Sequence, residues 1–281
     1  MHPRNRHQNR YDLKALAQSL PELGPKIIKT KYGEDSIDFS DPLSVRLLNQ
    51  ALLKHHYQIK WNVPDKYLSP PIPGRADYIH YLADLIGVDK KDVRALDIGV
   101  GANCIYPVLG VSEYGWDFVG SDINPEALRV AQTIVNENPK LKAKVELRLQ
   151  SDTFIFQGLV RKEDHFNLTL CNPPFHSSEE EAREGSNRKW RNLGKKERKD
   201  SRNFGGIGAE LWTPGGELSF IKQMIHESVS VSKNCDVFTT LISKEENLPP
   251  LQQLLKHHHA ESKIIDMSQG QKKSRILCWR F

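Results

Sequence analysis

The chain has 281 residues, a length that fits one large domain or about two smaller ones and that allows a sizeable core. Its 40 Lys and Arg against 35 Asp and Glu give a net charge of +5. A net charge this small says little about binding partners, so the distribution of the cations along the chain is more informative. The four cysteines form no CxxC pair, which argues against a zinc site or a disulfide framework and indicates a reducing compartment. The chain shows no apolar signal segment and no apolar run of membrane-spanning length. We therefore expect a cytoplasmic protein with no membrane and no metal partner.

The first twelve residues are polar and basic. Arg4, Arg6 and Arg10 alternate with His and Asn, and Tyr11 follows them. Such a segment is typical of a solvated, disordered tail. The same mixture of Arg, Asn and aromatic residues also suits contacts with RNA phosphates and bases. The sequence leaves both interpretations open.

Two helices are predicted before residue 90. Asp41 and Pro42 fit an N-cap and a first helical position, and apolar residues then recur at helical spacing to about His56. Residues 57–73 contain four prolines and read as a loop. A second helix is expected from about Arg75 to Ile86. Residues 1–90 are therefore predicted to be an N-terminal helical extension, ahead of a main domain over 91–281.

Strands alternate with helices from residue 93 onward. A short apolar strand runs into the turn Gly99-Val-Gly101-Ala-Asn103, and a helix opens near Ile105. Strand, glycine turn and helix let the backbone approach an adenosyl ligand closely. The dinucleotide fingerprint would require a third glycine where Cys104 stands, so an NAD or FAD site is disfavoured.

The next two strands are expected to end in polar residues at the same sheet edge. A strand over 116–121 ends in Asp122, which is placed to accept two ribose hydroxyls or to cap the following helix. The coincidence with the glycine turn favours ribose binding. A strand over 145–149 is followed by residues 150–152, where contacts with an adenine ring are expected.

An apolar strand over 166–171 ends abruptly in Asn172-Pro173-Pro174-Phe175. Neither proline has an N–H to donate, so the chain must leave the sheet here. The carbonyl oxygens of Asn172 and Pro173 could accept the two N–H bonds of an exocyclic amine, while Phe175 stacks on the base. The alternative is that Asn-Pro-Pro is only a rigid turn.

Residues 176–214 form a long polar insertion rich in cations, among them Arg188, Lys189 and Arg191 around Trp190. Loops of this length are usually functional or disordered. We interpret this one as an RNA-binding lid next to the pocket, and the alternative is a solvated flexible insertion. Further helices are predicted over 217–230 and 251–257, and further strands over 235–242, 262–267 and 275–279.

Several motifs together resemble the class I S-adenosylmethionine-dependent methyltransferases and, more narrowly, the RlmF family of bacterial 23S rRNA adenine-N6 methyltransferases. The motifs are His2-Pro-Arg-Asn-Arg6, Gly74-Arg-Ala-Asp-Tyr-Ile-His80, Asp97-Ile-Gly-Val-Gly-Ala-Asn-Cys-Ile-Tyr-Pro107, Cys171-Asn-Pro-Pro-Phe-His176, Gly215-Gly-Glu217, Asn247-Leu-Pro-Pro250 and Gln269-Gly-Gln271. The resemblance implies an α/β, Rossmann-like fold with a mostly parallel seven-stranded sheet and an antiparallel last strand. It also implies S-adenosyl-L-methionine as cofactor, with Asn172 to Phe175 holding the adenine.

The cofactor contacts implied by the resemblance are Arg75, Gly99, Asn103 and Asp122. Asp97 and Gly101, in the same strand and turn, are predicted to bind the cofactor with them. The helical pattern alone would place Arg75 on a helix surface. The expected reaction is N6-methylation of one adenosine in 23S rRNA, either free or in a large-subunit assembly intermediate. Three alternatives remain: guanine-N2 methylation of rRNA, protein-glutamine N5 methylation, and a non-catalytic RNA-binding role in ribosome assembly.

Overall fold

The computed structural model describes residues 1–150, 153–174, 176–178, 180–181, 212–269 and 272–281. Its first elements are helix α1 (Leu13–Ser19), a 3-10 helix (Pro21–Lys26), the antiparallel strands β1 (Ile27–Lys29) and β2 (Asp35–Ile37), and helices α2 (Pro42–Tyr57) and α3 (Ile72–Ile86). The Asp41 side chain accepts a hydrogen bond from the Leu43 amide, which confirms the predicted start of α2. Helix α3 begins before Arg75 because Pro73 is tolerated within a first helical turn.

The amino-terminal segment is packed against these helices. His2, Asn5 and His7 are buried. The Asn5 side-chain amide donates to the carbonyl oxygen of Pro73 over 2.9 Å, and His7 Nε2 lies 2.8 Å from the Tyr57 hydroxyl. The interpretation of residues 1–12 as a disordered tail is therefore wrong. Its polar side chains are ordered because they find partners on α2 and α3.

Four parallel strands lie side by side in the order β5-β4-β3-β6. They are β3 (Arg94–Ile98), β4 (Asp117–Asp122), β5 (Val145–Leu149) and β6 (Leu168–Cys171), separated along the chain by α4 (Ile105–Tyr114), α5 (Pro125–Glu137) and α6 (Pro139–Lys142). Alternation of strands and helices with a parallel sheet is the α/β arrangement that the sequence pattern predicts.

The strand register brings three predicted site positions to one edge of this sheet. Ile98, the last residue of β3, pairs with Ser121 on one side and with Cys171 on the other. The residues that follow these three in the chain are Gly99, Asp122 and Asn172. They lie at the carboxyl ends of neighbouring parallel strands, where open α/β sheets place their ligands.

The carboxyl-terminal part adds helices α7 (Gly216–Ser228) and α8 (Leu248–His257) and the antiparallel strands β7 (Phe238–Ile242), β8 (Glu261–Gln269) and β9 (Lys272–Arg280). These three strands form a separate sheet in the order β7-β9-β8, so the antiparallel last strand is present. One continuous seven-stranded sheet is not confirmed. β6 and β7 nevertheless lie side by side, and the Thr169 amide donates to the carbonyl oxygen of Val237 over 3.0 Å.

Two hydrophobic clusters cover the two faces of the parallel sheet. One contains α2–α5 residues such as Leu52, Ile79 and Leu109, and the other contains α7 and α8 residues such as Met224. Because the first cluster includes α2 and α3, the amino-terminal elements share its core. The domain boundary near residue 90 stays a prediction. Among the described helices none is long and apolar enough to cross a membrane.

Candidate cofactor and substrate site

The glycine turn after β3 is open toward the ligand edge. Gly99 and Gly101 have φ angles of +73° and +62°, which L-residues with a side chain rarely adopt. The amides of Gly99 and Val100 both donate to the carbonyl oxygen of Ser121, over 2.9 and 2.8 Å. A Cβ atom added at Gly99 would meet no atom within 4 Å. The backbone here is therefore held by β4 on one side and accessible on the other.

Asp122 fixes this turn from the end of β4. Its carboxylate accepts hydrogen bonds from the Gly101 amide over 2.9 Å and from the Asn124 amide over 2.8 Å. Burial raises the pKa of Asp122, and these backbone amides oppose that rise. The start of α5 is capped by Asn124, whose side chain accepts from two backbone amides. Of the two roles considered for Asp122, helix capping is thus filled by another residue, and ribose binding stays a prediction.

Asp97, in β3, is a buried carboxyl with unused acceptors. Both of its carboxyl oxygens are buried and have no hydrogen-bond partner in the described part of the chain. Burial raises the pKa of Asp97 well above its usual range; the nearby Asp122 charge adds to this rise and Arg75 opposes it. Buried polar atoms in native proteins are normally paired. The orphaned oxygens therefore fit a ligand that brings an N–H or ammonium group.

Arg75 projects from the first turn of α3 toward α4. It is half-buried, its Nη1 donates to the Tyr106 hydroxyl over 2.8 Å, and its guanidinium lies 5.6 Å from the centre of the Tyr106 ring. It also lowers the pKa of Asp97, as a cation near a carboxyl does. The structure thus places Arg75 near Asp97, although the helical pattern alone gave no reason to select it.

Asn103 is buried at the end of the glycine turn. Its side-chain oxygen accepts from the Ile105 amide over 3.1 Å, and its carbonyl oxygen accepts from the Trp61 indole over 2.7 Å. The Trp61 contact joins the loop between α2 and α3 to the glycine turn. Sequence reasoning missed Trp61, because nothing local marks a contact over 42 residues.

Asn172 stands directly after β6, next to the glycine turn. Its side-chain oxygen is buried and has no hydrogen-bond partner within the described residues. Pro173 is buried and Pro174 is half-buried, so the proline pair is packed into the structure. Phe175 lies outside the described residues. The strand register thus places Asn172, with its unpaired acceptor, next to Gly99.

Three exposed apolar side chains lie at the end of β5 or in the loops after β4 and β5, and sequence reasoning missed them. Ile123, Leu149 and Phe154 are 59%, 50% and 37% exposed. Glu227 of α7 accepts hydrogen bonds from the amides of Ile155 and Phe156 and so holds the loop after β5.

Adenine contacts were expected at residues 150–152. Gln150 is buried, and its side-chain amide donates to the carbonyl oxygen of Gln157 over 3.0 Å. Residues 151–152 lie outside the described residues, so this expectation stays a prediction.

The arginines predicted to contact RNA are engaged within the chain. Arg4 pairs with Asp84 over 2.5 Å, Arg6 pairs with Glu113 over 2.8 Å and lies 4.9 Å from the Tyr57 ring centre, and Arg10 pairs with Glu34. Arg188, Lys189 and Arg191 lie outside the described residues. RNA binding by all six stays a prediction. In the described ranges no group of three or more His, Cys, Asp or Glu could hold a metal ion.

Comparison with known proteins decides the family. The family model described as "RNA methyltransferase" matches residues 1–281. This chain belongs to that family. Ribosomal RNA large subunit methyltransferase F of Ectopseudomonas mendocina is 52% identical over 294 residues, which covers 100% of this chain and 88% of that protein. The protein of the same description from Pectobacterium atrosepticum is 50% identical and covers 100% and 93%. The resemblance seen in the motifs is confirmed.

Solved structures of human METTL16 share the fold of this RNA methyltransferase. The METTL16 catalytic domain in complex with MAT2A 3′UTR hairpin 1 has a TM-score of 0.86 and 28% identity, covering 100% of this chain and 95% of that one. The METTL16 N-terminal domain in complex with SAH has a TM-score of 0.81 and 28% identity, covering 100% and 98%. The class I Rossmann-like fold with a mostly parallel sheet is thus confirmed.

Proposed function

We propose that this chain transfers the methyl group of S-adenosylmethionine to N6 of one adenosine in 23S rRNA. One observation carries the proposal: the buried side-chain oxygen of Asn172 has no partner among the described residues and stands beside the open turn at Gly99. The names of the bacterial relatives support rRNA as substrate. The METTL16 complex with SAH, the demethylated product of this cofactor, supports the methyl donor.

The residues around the glycine turn fit the proposed cofactor. Asp97 offers two unpartnered carboxyl oxygens to the amino group of its methionine part, and Arg75 offers a cation to its carboxylate. Gly99 leaves room for the ligand, and Asp122 has a fixed carboxylate for ribose hydroxyls. When bound, S-adenosylmethionine supplies an electrophilic methyl group on sulfur. This set of donors and acceptors is what a zwitterionic adenosyl ligand requires.

The Asn-Pro-Pro turn would orient the acceptor amine. The exocyclic nitrogen of adenine is a poor nucleophile because its lone pair is delocalised into the ring. The side-chain oxygen of Asn172 and the carbonyl oxygen of Pro173 would each accept one N–H, which directs the lone pair toward the methyl group. After the nitrogen has received the methyl group it loses a proton to water, so no strong base is needed.

Reaching the target base requires that it leave its stack. Adenines in structured RNA are read when they are splayed out, and enzymes that modify a base extrude it into a pocket. We propose that the insertion over residues 176–214, with Arg188, Lys189 and Arg191, together with Arg4, Arg6 and Arg10, contacts the phosphates around that base. For the three amino-terminal arginines this contact would add to the ion pairs that they already form.

The proposal is tested with purified protein, S-adenosylmethionine and 23S rRNA, either free or in a large-subunit assembly particle. The RNA is digested to nucleosides and analysed by mass spectrometry against N6-methyladenosine and N2-methylguanosine standards. We expect one N6-methyladenosine per rRNA molecule in at least one of the two substrates. N2-methylguanosine as the product, or no methylated nucleoside from either substrate, would overturn the assignment.

A further inference from the structure

Side-chain hydroxyls replace the backbone ladder between β6 and β7. The first link between these strands is a backbone bond, from the Thr169 amide to Val237. Two residues after Val237 in the chain, the Thr239 amide donates instead to the hydroxyl of Thr169 over 3.1 Å, and the Thr239 hydroxyl donates to the Thr169 carbonyl oxygen over 2.7 Å. Parallel strands normally join through direct N–H to C=O bonds. Two inserted hydroxyls therefore separate the two sheets just below the end of β6.

A third hydroxyl joins this pair from helix α3. The Tyr78 hydroxyl lies 2.7 Å from that of Thr239. Because the Thr239 proton is committed to Thr169, Tyr78 must be the donor, and burial keeps it protonated by raising its pKa well above the usual range. The Tyr78 oxygen in turn accepts a long bond of 3.5 Å from the Cys171 amide. The chain of bonds thus runs from Cys171 through Tyr78 and Thr239 to Thr169.

This chain of hydroxyls lies between the two halves of the site. Cys171 immediately precedes Asn172, and Tyr78 is on the same helix as Arg75, one turn further on. The Tyr78 ring makes an edge contact with the Tyr106 ring, at 5.4 Å between centroids, and Tyr106 carries the Arg75 hydrogen bond. One buried tyrosine therefore connects the strand end that presents Asn172 with the helix that presents Arg75.

We propose that Tyr78 is a positioning residue for methyl transfer. Its hydroxyl fixes the end of β6 relative to α3, so that the amide oxygen of Asn172 stands at the right place beside the cofactor turn. The inference rests on the proposed function of that turn. Because misplacing a reacting group by about 1 Å can cost about a hundredfold in rate, losing this bond should lower kcat by about tenfold. Because Tyr78→Phe keeps the ring contact with Tyr106, which holds Arg75, the affinity for the cofactor should change by less than about twofold.

The test replaces single hydroxyls. Tyr78→Phe keeps the ring and removes only the hydroxyl. Thr239→Val removes both the acceptor for Tyr78 and the donor to the Thr169 carbonyl oxygen. Thr239→Ser keeps the hydroxyl and should restore most of kcat. Tyr81→Phe, on the same helix, is the matched control and should behave as wild type. Rates are measured with 23S rRNA and S-adenosylmethionine below the thermal midpoint of the least stable variant.

The outcomes are distinct. We expect Tyr78→Phe and Thr239→Val to lower kcat at nearly constant KM for S-adenosylmethionine. Their combination should lose little more than either change alone, because both break one chain of bonds. Wild-type kcat in Tyr78→Phe, or equal losses in Thr239→Ser and Thr239→Val, would overturn the positioning role. If the wild-type protein itself forms no N6-methyladenosine, the failure lies in the proposed function instead.

Discussion

Asn172 and Asp97 are among the side chains that keep buried polar atoms without a hydrogen-bond partner in the described residues; His80 and Ser112 are others. An unsatisfied buried polar group costs about 1–3 kcal/mol, so a fold that served only stability would place apolar residues there. Asn172 and Asp97 lie at or near the ligand edge of the parallel sheet. Their cost is explained if a substrate amine and a cofactor amine complete their hydrogen bonds.

Replacing Asn172 tests the substrate half of this explanation. Asn172→Ala removes the oxygen that orients the amine and leaves the glycine turn intact. We expect kcat for rRNA methylation to fall by about 10²–10³, the cost of removing one preorganised polar contact from a reacting centre. The Kd of S-adenosylmethionine, measured by calorimetry, should stay within about twofold. The matched control is Asn62→Ala, at an exposed asparagine; a variant of Asn172 that turns over normally would refute the role.

The proposed role of Asp97 in cofactor binding can be tested through the stability of the fold. Its folded-state pKa is raised, so as pH rises above about 4 the unfolded chain ionises while the folded chain stays protonated, and the fold loses stability. Asp97→Asn cannot ionise. We expect it to stabilise the ligand-free protein at pH 7 by about 1–2 kcal/mol, a gain that shrinks as pH falls toward 4.

The same substitution should weaken the response to ligand. Thermal unfolding is measured with and without S-adenosylmethionine, for wild type and Asp97→Asn. A bound ligand raises the midpoint according to its affinity, so the variant should show a smaller shift. A variant that is less stable than wild type at pH 7, or that shows an undiminished ligand shift, would contradict the account.

At the scale of elements, the bounds of helices and strands could be predicted best where the spacing of apolar residues and a capping or turn residue indicate the same boundary. Strand β5 has the predicted bounds 145–149, and α2 begins at the predicted cap, Asp41. The β1–β2 hairpin was missed because its strands are three residues long, too short for a pattern of alternation. The amino-terminal segment was ambiguous because its partners, such as Asp77 for Asn5, lie about seventy residues away.

The same limit applies to the site. Its main positions could be predicted because parallel strands end at one edge, so Gly99, Asp122 and Asn172 had to converge once the strands were identified. Arg75 is predicted as a cofactor contact only through the family resemblance, and the sequence gives no reason to select Tyr78 as a site residue. Its role depends on Thr239, 161 residues away, and no local pattern reports such a contact.

We expect two buried histidines, His7 in the amino-terminal segment and His80 in α3, to lower the stability of the fold in acid. Burial lowers the pKa of His7 to about 3, with His56 and Arg6 adding to the effect, and burial lowers that of His80 to about 4. Both histidines are therefore neutral when folded and charged when unfolded below about pH 6.5. The contribution of these two histidines to stability should be constant above pH 7 and fall by about 1.4 kcal/mol per pH unit for each histidine between about pH 6.5 and 4, while the raised pKa of Asp97 acts in the opposite direction.

Urea unfolding at pH 7.5, 6.0 and 5.0 measures this dependence. His80 and His7 contribute separately, so His7→Gln should remove about half of the slope that the two histidines cause, by the same linkage. An unchanged slope in His7→Gln would show that the buried histidine is not responsible.

For the molecule as a whole, a net charge of +5 leaves RNA binding to local clusters of cations. Arg4, Arg6 and Arg10 already form ion pairs with acidic residues. We therefore expect residues 176–214 to supply most of the phosphate contacts. Replacing Arg188, Lys189 and Arg191 together with Ala should weaken rRNA binding and lower the slope of log Kd against log salt by about two to three.

Fluorescence titrations with an rRNA fragment at several salt concentrations give this slope. The control replaces three exposed lysines on or next to α7 and α8, Lys222, Lys233 and Lys256. Equal slopes for wild type and the triple variant in residues 176–214 would mean that this segment does not touch phosphate.

The central claim is that the side-chain oxygen of Asn172, beside the glycine turn, aligns an adenine amine for methylation. The most direct measurement is mass spectrometry of 23S rRNA nucleosides from cells that lack this protein and are complemented with wild type or Asn172→Ala, both shown to accumulate equally. The account predicts that one N6-methyladenosine disappears with the protein, returns with wild type and does not return with Asn172→Ala. Full restoration of that nucleoside by Asn172→Ala would contradict it.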